Sequence, residues 1–227
     1  MLSQKEQKYL DLVEKRKKCN LCNTLKNPSR YPEYDGAGIG PWSHWQNGLD
    51  AEILVVGQDR GDFKSFEKTR GMEDDDNCTN KNLQKLFRDS LGISLDKPGS
   101  GKKNGRLFFT DSILCLKKRR ISAAVEQKYA VDCCSKFLKP LIHLIEPKVV
   151  ITLGKIAYES MVRSYDLRLL PLNEAIQSPE GFPVDTSSRL FPVYHCGERG
   201  WNVVRKGHLQ LEDWKKIRDY LASGKSP

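Results

Sequence analysis

Four short apolar runs, separated by helical patterns, predict an α/β fold: a three-layer α/β/α domain on a central four-stranded parallel sheet. The runs are ILVV from residue 53, LFF from residue 107, VVITL from residue 149 and RLFPV from residue 189. Strands this continuously apolar are covered on both faces, and intervening helices return the chain so that neighbouring strands run parallel. A length of 227 residues suffices for one such domain with a full core. One domain over 1–227 is therefore expected, with 1–50 an N-terminal helix and cysteine-bearing segment packed on it.

Taken in order, residues 4–18 read as a charged helix leading into CNLCN, and a loop rich in Gly, Pro and aromatics follows (RYPEYDGAGIGPWSHW). The first strand covers 52–57. Leu83, Leu86, Phe87 and Leu91 recur at helical spacing. A Gly-Lys loop, DKPGSGKKNGR, precedes the second strand, LFFTDSILCL. Residues 122–145 read as one long helix that Pro140 kinks or restarts. The third strand lies between Pro147 and Gly154, and KIAYESMV is helical after it. A looser stretch, 166–188, leads to the fourth strand, RLFPVYHC, and an amphipathic helix from 211 closes at Gly224.

No apolar run approaches the roughly 20 residues of a membrane span. The opening stretch is charged throughout, unlike a secretory signal, so a cytoplasmic protein is expected. Lys and Arg number 38 against 29 Asp and Glu, a net charge of +9. Such an excess favours a polyanionic partner, because cations displace the counterions condensed on nucleic-acid phosphates; a merely basic surface is the plainer explanation. Seven cysteines in a chain without a secretory signal point to metal binding or burial rather than a disulfide framework.

Ligands of parallel sheets bind beyond the carboxyl ends of the strands. The residues expected there are Gly57, Gln58 and Asp59, then Asp111 or Cys115, Gly154, and His195. Alone, Asp59 reads as a turn cap and His195 as a core histidine. An acid and an imidazole on one rim favour catalysis.

VVGQDRGD, FFTDSILC, PKVVITLGKIA and PVYHCGERG, in this order, resemble the uracil-DNA glycosylase superfamily, and CNLCN resembles its iron–sulfur branches. The resemblance implies that Asp59 positions water and steadies the developing sugar cation, while a neutral His195 donates to the departing base. Gly57, Gln58 and Asp111 would bind substrate, with Phe63 or Phe66 stacking on the flipped base. Arg60 stands where the family often has proline. Asp111 replaces the family's asparagine, and an ionised aspartate can only accept. It suits uracil if protonated in a desolvated site, whereas a cytosine-like edge would suit the carboxylate. His195-Cys196-Gly197 stands for His-Pro-Ser, and Trp201 and Arg205 lie in the segment that would enter duplex DNA.

The same resemblance implies four ligands, Cys19, Cys22, Cys115 and Cys134, for a structural [4Fe–4S] cluster; a zinc tetrathiolate has the same ligand count. Cys133 is the rival to Cys134. KKRRIS follows the second strand, and Lys117, Lys118, Arg119 and Arg120 are assigned to DNA phosphates. One branch has a histidine, which bonds covalently to the sugar, where this chain has Ser122, so turnover should be hydrolytic. With no lysine at a nucleophile position, the expected protein is a monomeric, monofunctional DNA glycosylase of base excision repair, with uracil its expected base. The alternative is a non-catalytic nucleic-acid-binding protein that keeps the fold and cluster.

Overall fold

The computed structural model describes residues 2–119 and 123–224. Ser3 and Glu6 form a reciprocal capping box that starts α1 (Gln4–Lys17), satisfying two of the N–H groups that a helix start leaves open. At the other end the Asn27 side chain donates to the carbonyls of Arg16, Lys17 and Cys19. A two-residue strand follows, β1 (Leu25–Lys26). The buried Arg16 then ties α1 to the Gly-rich loop, through an ion pair to Asp35 at 2.8 Å and a bond to the Gly38 carbonyl at 2.9 Å.

The first central strand, β2 (Ile53–Asp59), runs two residues beyond the predicted end. After it come α2 (Phe63–Lys68), capped by the Asp62 carboxylate, and α3 (Cys78–Leu86), which runs into a π turn, Phe87–Leu91, ending at left-handed Gly92. β3 (Leu107–Ile113) is buried along its whole length. The apolar run expected to continue it breaks at Leu114 and resumes as β4 (Leu116–Lys117), which pairs antiparallel with β1.

The long helix divides into α4 (Gln127–Cys133), a π turn (Cys134–Leu138) and α5 (Lys139–Ile145). In that turn the Lys139 N–H reaches back to the Cys134 carbonyl, a longer step that accommodates Pro140, which has no N–H and whose ring would crowd an α-helical turn. β5 (Val149–Leu153), α6 (Lys155–Ser164), the short α7 (Leu172–Ala175), β6 (Phe182–Pro183), β7 (Arg189–Val193) and α8 (Gly207–Ala222) complete the chain.

The main sheet has five strands in the order β3-β2-β5-β7-β6, not four. The four expected strands are parallel; β6 adds an antiparallel edge opposite Leu190 and Arg189. Two residues, one of them proline, carry no alternation, and Pro183 suits only an edge position. Apolar clusters fill both faces of the sheet. One is built on α1, α5 and α6 with Leu54 and Val56; the other joins Ile53 and Val55 to Phe109, Phe87 and Trp214. No helix among the described residues is long and apolar enough to cross a membrane.

Candidate active site

The sheet's carboxyl ends open into a cleft of about 300 Å³. Gly57, Gln58, Asp59, Asp111 and His195 all line it, as expected of the rim, and Trp42, Arg60, Glu73, Asn80 and Lys117 line it with them. Two glycines make the room. Gly57 pairs with Asp111 across β2 and β3, and a Cβ there would sit 2.4 Å from Asp111 Oδ1 and 2.9 Å from the Trp42 ring. Gly154 ends β5 at φ 84°, a region costly for other residues, and a Cβ there would be 3.1 Å from that of His195.

Asp59 is fixed from three directions. Its Oδ1 accepts the Gly61 N–H at 2.8 Å, and its Oδ2 accepts the Gln58 amide at 2.6 Å and lies 3.0 Å from Lys117 Nζ. Its side chain is 4% exposed and that of Lys117 is 6% exposed. The Lys117 backbone is itself held, donating to Gly61 O at 2.9 Å.

His195 is open to the cleft but crowded on its other sides. That desolvation holds its pKa below the ordinary histidine value; Asp59 pulls it up and Lys117 pushes it down. The Gly197 N–H donates to Nδ1 at 3.0 Å, which assigns the proton of the neutral ring to Nε2. The histidine loop is anchored on α3, where Asn82 donates to Cys196 O at 2.7 Å and the Cys196 thiol faces Thr79 O. A neutral imidazole thus presents a donor beside a fixed carboxylate.

Asp111 is buried but for its face toward the cleft, and no described residue donates a hydrogen bond to its carboxyl. Burial pushes its pKa up to about 8, Asp59 pushes it the same way, and Arg60 opposes both. Arg60 pairs with Glu73 and donates to the Met72 carbonyl, so the loop is pinned without a proline. Burial lowers the Arg60 pKa to about 10, against the pull of Asp111.

Several expected site residues lie elsewhere. The Phe63 ring packs against Tyr31, centroids 4.2 Å apart, with Lys26 above it, and Phe66 is core; the aromatic lining the cleft is Trp42. Lys117 was expected on DNA phosphates, but its ammonium is buried against Asp59, because β4 turns it inward beside the Gly61 loop. Lys118 and Arg119 are exposed, and Lys118 also donates to Asn23 O. Arg120 and Ser122 lie outside the described residues. Trp201 is half-buried beneath Gly207 and joins the core, and Arg205 forks onto Asp213 at 2.8 and 3.0 Å. The exposed apolar tip of that segment is Val203, 72% exposed, with Val204. Two valines carry no functional signal in sequence, and Trp42 reads like the loop aromatics around it.

Cys19, Cys22, Cys115 and Cys133 line one small cavity with Arg16 and Phe137. Cys134, expected as the fourth ligand, does not: it begins the π turn and its thiol faces Ser112 O instead. The neighbouring free thiols of Cys22 and Cys115 shift each other's pKa, that of Cys22 down and that of Cys115 up, and burial pushes Cys133 up to about 12. Among the described residues no group of three or more His, Cys, Asp or Glu converges as a single-ion site. Four thiols round one cavity are nonetheless a donor set of the soft kind that iron–sulfur clusters and zinc take.

A profile of the uracil DNA glycosylase superfamily matches residues 45–218, spanning every strand of the main sheet and all of the cleft lining except Trp42. No curated protein matches the chain.

Proposed function

Because the chain belongs to the uracil DNA glycosylase superfamily, a family of DNA glycosylases, we propose that it hydrolyses the N-glycosidic bond of uracil flipped out of DNA. The observation that carries this reading is the pairing of a fixed carboxylate and a neutral imidazole in one cleft. Asp59 orients the attacking water and steadies positive charge on the sugar, and takes up the water's proton as the bond breaks. His195 Nε2–H stabilises the negative charge that builds on the base oxygen. Trp42 flanks the base, while Val203 and Val204 fill the gap it leaves in the duplex. Lys118, Arg119 and Arg120 meet the phosphates.

The protein acts as a cytoplasmic monomer in base excision repair; seven free cysteines suit a reducing compartment. The reaction is monofunctional, because Lys117, the lysine lining the cleft, is committed to Asp59 as an ion pair and offers no free amine. Cys19, Cys22, Cys115 and Cys133 would hold a [4Fe–4S] cluster, or zinc as the alternative. That group, when bound, ties the N-terminal segment to the sheet and takes no part in bond cleavage.

Oligonucleotides carrying uracil, hypoxanthine or unmodified cytosine test the reading. Alkali-labile sites should appear at uracil, should vanish in Asp59→Asn while DNA affinity persists, and should leave no borohydride-trapped complex. A non-catalytic binder would bind these strands and cleave none.

A further inference from the structure

Five charged or titratable groups meet at the cleft floor around Asp111. From the end of β2 and the loop after it come Asp59 and Arg60, from the strap before α3 Glu73, from β4 Lys117, and from the loop after β7 His195. Behind Asp111, on α4, stands Cys133, whose thiol senses its charge. The cations are already committed: Lys117 lies 3.0 Å from Asp59, and Arg60 is paired with Glu73. His195 is held neutral. Two cations and two other anions pair off, so Asp111 is left without a counter-ion of its own.

It is also left without a hydrogen bond from any described residue, though it is fully buried except toward the cleft. A carboxyl in the cleft floor with no donor from the protein marks a position where a ligand can pair with it. Gly57 makes the room that Asp111 Oδ1 occupies, since a Cβ there would sit 2.4 Å from it.

We propose that Asp111 reads the flipped base as a neutral carboxylic acid, its C=O accepting from uracil N3–H and its O–H donating to uracil O4, so that ionising Asp111 switches recognition off. The inference rests on the glycosylase reading of the cleft and adds to it the charge state in which Asp111 meets the base. A neutral acid offers one donor and one acceptor; an ionised carboxylate offers acceptors only and would face uracil O4 with like polarity. Desolvation and the neighbouring Asp59 both act to keep the proton on.

The test follows single-turnover uracil release from about pH 6 to about pH 10, with equilibrium binding of free uracil over the same range. Wild-type release should fall about tenfold per pH unit above about 8, and the binding of free uracil should weaken in parallel. Asp111→Asn, which keeps a donor and an acceptor at every pH, should lose this alkaline fall whatever its absolute rate. An alkaline fall that survives in Asp111→Asn overturns the assignment, and so does wild-type release with no fall at all. Preferential release of cytosine below about pH 7, where Asp111 should be neutral, also overturns it. If uracil binds with the expected pH profile but is never released, the reader stands and the glycosylase reading fails. Should the asparagine variant not fold, the pH profile of uracil binding by the wild-type protein decides alone.

Discussion

Replacing Lys117 by methionine separates two roles that predict different losses. A lysine on DNA phosphates contributes counterion release, so its removal weakens all sequences alike, lowers the salt slope by about 1 and leaves the fold untouched. The observed ammonium is instead 6% exposed and 3.0 Å from an Asp59 carboxylate that is 4% exposed. Breaking a buried pair from one side costs about 3–5 kcal/mol, because the remaining charge loses its partner. Asp59 keeps the Gly61 N–H and the Gln58 amide, and the cleft admits water, so the cost falls at the low end, about 3 kcal/mol. For a chain of this length that is a drop in Tm of about 6–12 °C. Single-turnover release should fall as well, since a carboxylate held by two contacts rather than three orients water less well. Asp59→Asn in the same chain removes the stranded charge and should recover much of the stability, giving a coupling of about 2–3 kcal/mol in the double-mutant cycle. Differential scanning calorimetry and a salt series of DNA binding read both quantities. An unchanged Tm with a salt slope lowered by about 1 would refute the buried role.

Cys133→Ser should strip bound iron or zinc and any visible absorption band, whereas Cys134→Ser should keep both; elemental analysis of the two purified variants checks this. The pair Val203→Ser and Val204→Ser should slow release from duplex uracil DNA by about tenfold and spare single strands, as loss of an apolar wedge requires; Trp201→Phe should affect stability first. His195 must be neutral to donate from Nε2 alone, and its pKa lies below the ordinary value, so activity should hold through the usual histidine range on acidification. It should decline only as the pH falls through the depressed value, and a pH–rate profile whose acid limb disappears in His195→Asn checks the assignment.

What sequence could reveal here depended on whether a signal was periodic or positional. The four long strands follow from uninterrupted apolar runs, and the ends of β2, β3 and β7 then bring Gly57, Asp59, Asp111 and His195 together without further information. Trp42 was not legible, because a loop aromatic has no period and its position depends on the close packing over Gly57. Phe63 misled for a related reason: it begins α2, where the ring turns outward to Tyr31. The choice between Cys133 and Cys134 turned on one residue of register, and a π turn inserts one residue. Arg60 was legible as a missing proline but not as a buried cation, since Glu73 lies in a separate segment.

Lys117 shows why an adjacent set of cations is not one patch. The tetrad begins in β4, whose pairing with β1 sets Lys117 opposite Leu25 and whose backbone bond to Gly61 O fixes it beside Asp59; Lys118 and Arg119 follow on the surface. β1 is in turn fixed to the cysteine segment, as the Leu25 N–H bonds the Cys22 carbonyl at 3.1 Å. Cys115 precedes β4 by one residue. One short antiparallel ladder therefore links Cys22 and Cys115, at the thiol cavity, to Lys117, which is paired with Asp59. A group held by Cys19, Cys22, Cys115 and Cys133 would brace both strands of that ladder, and with them the ammonium that orients Asp59. The N-terminal segment, which lies outside the family match, is thus joined through β1 and β4 to the lysine that holds Asp59.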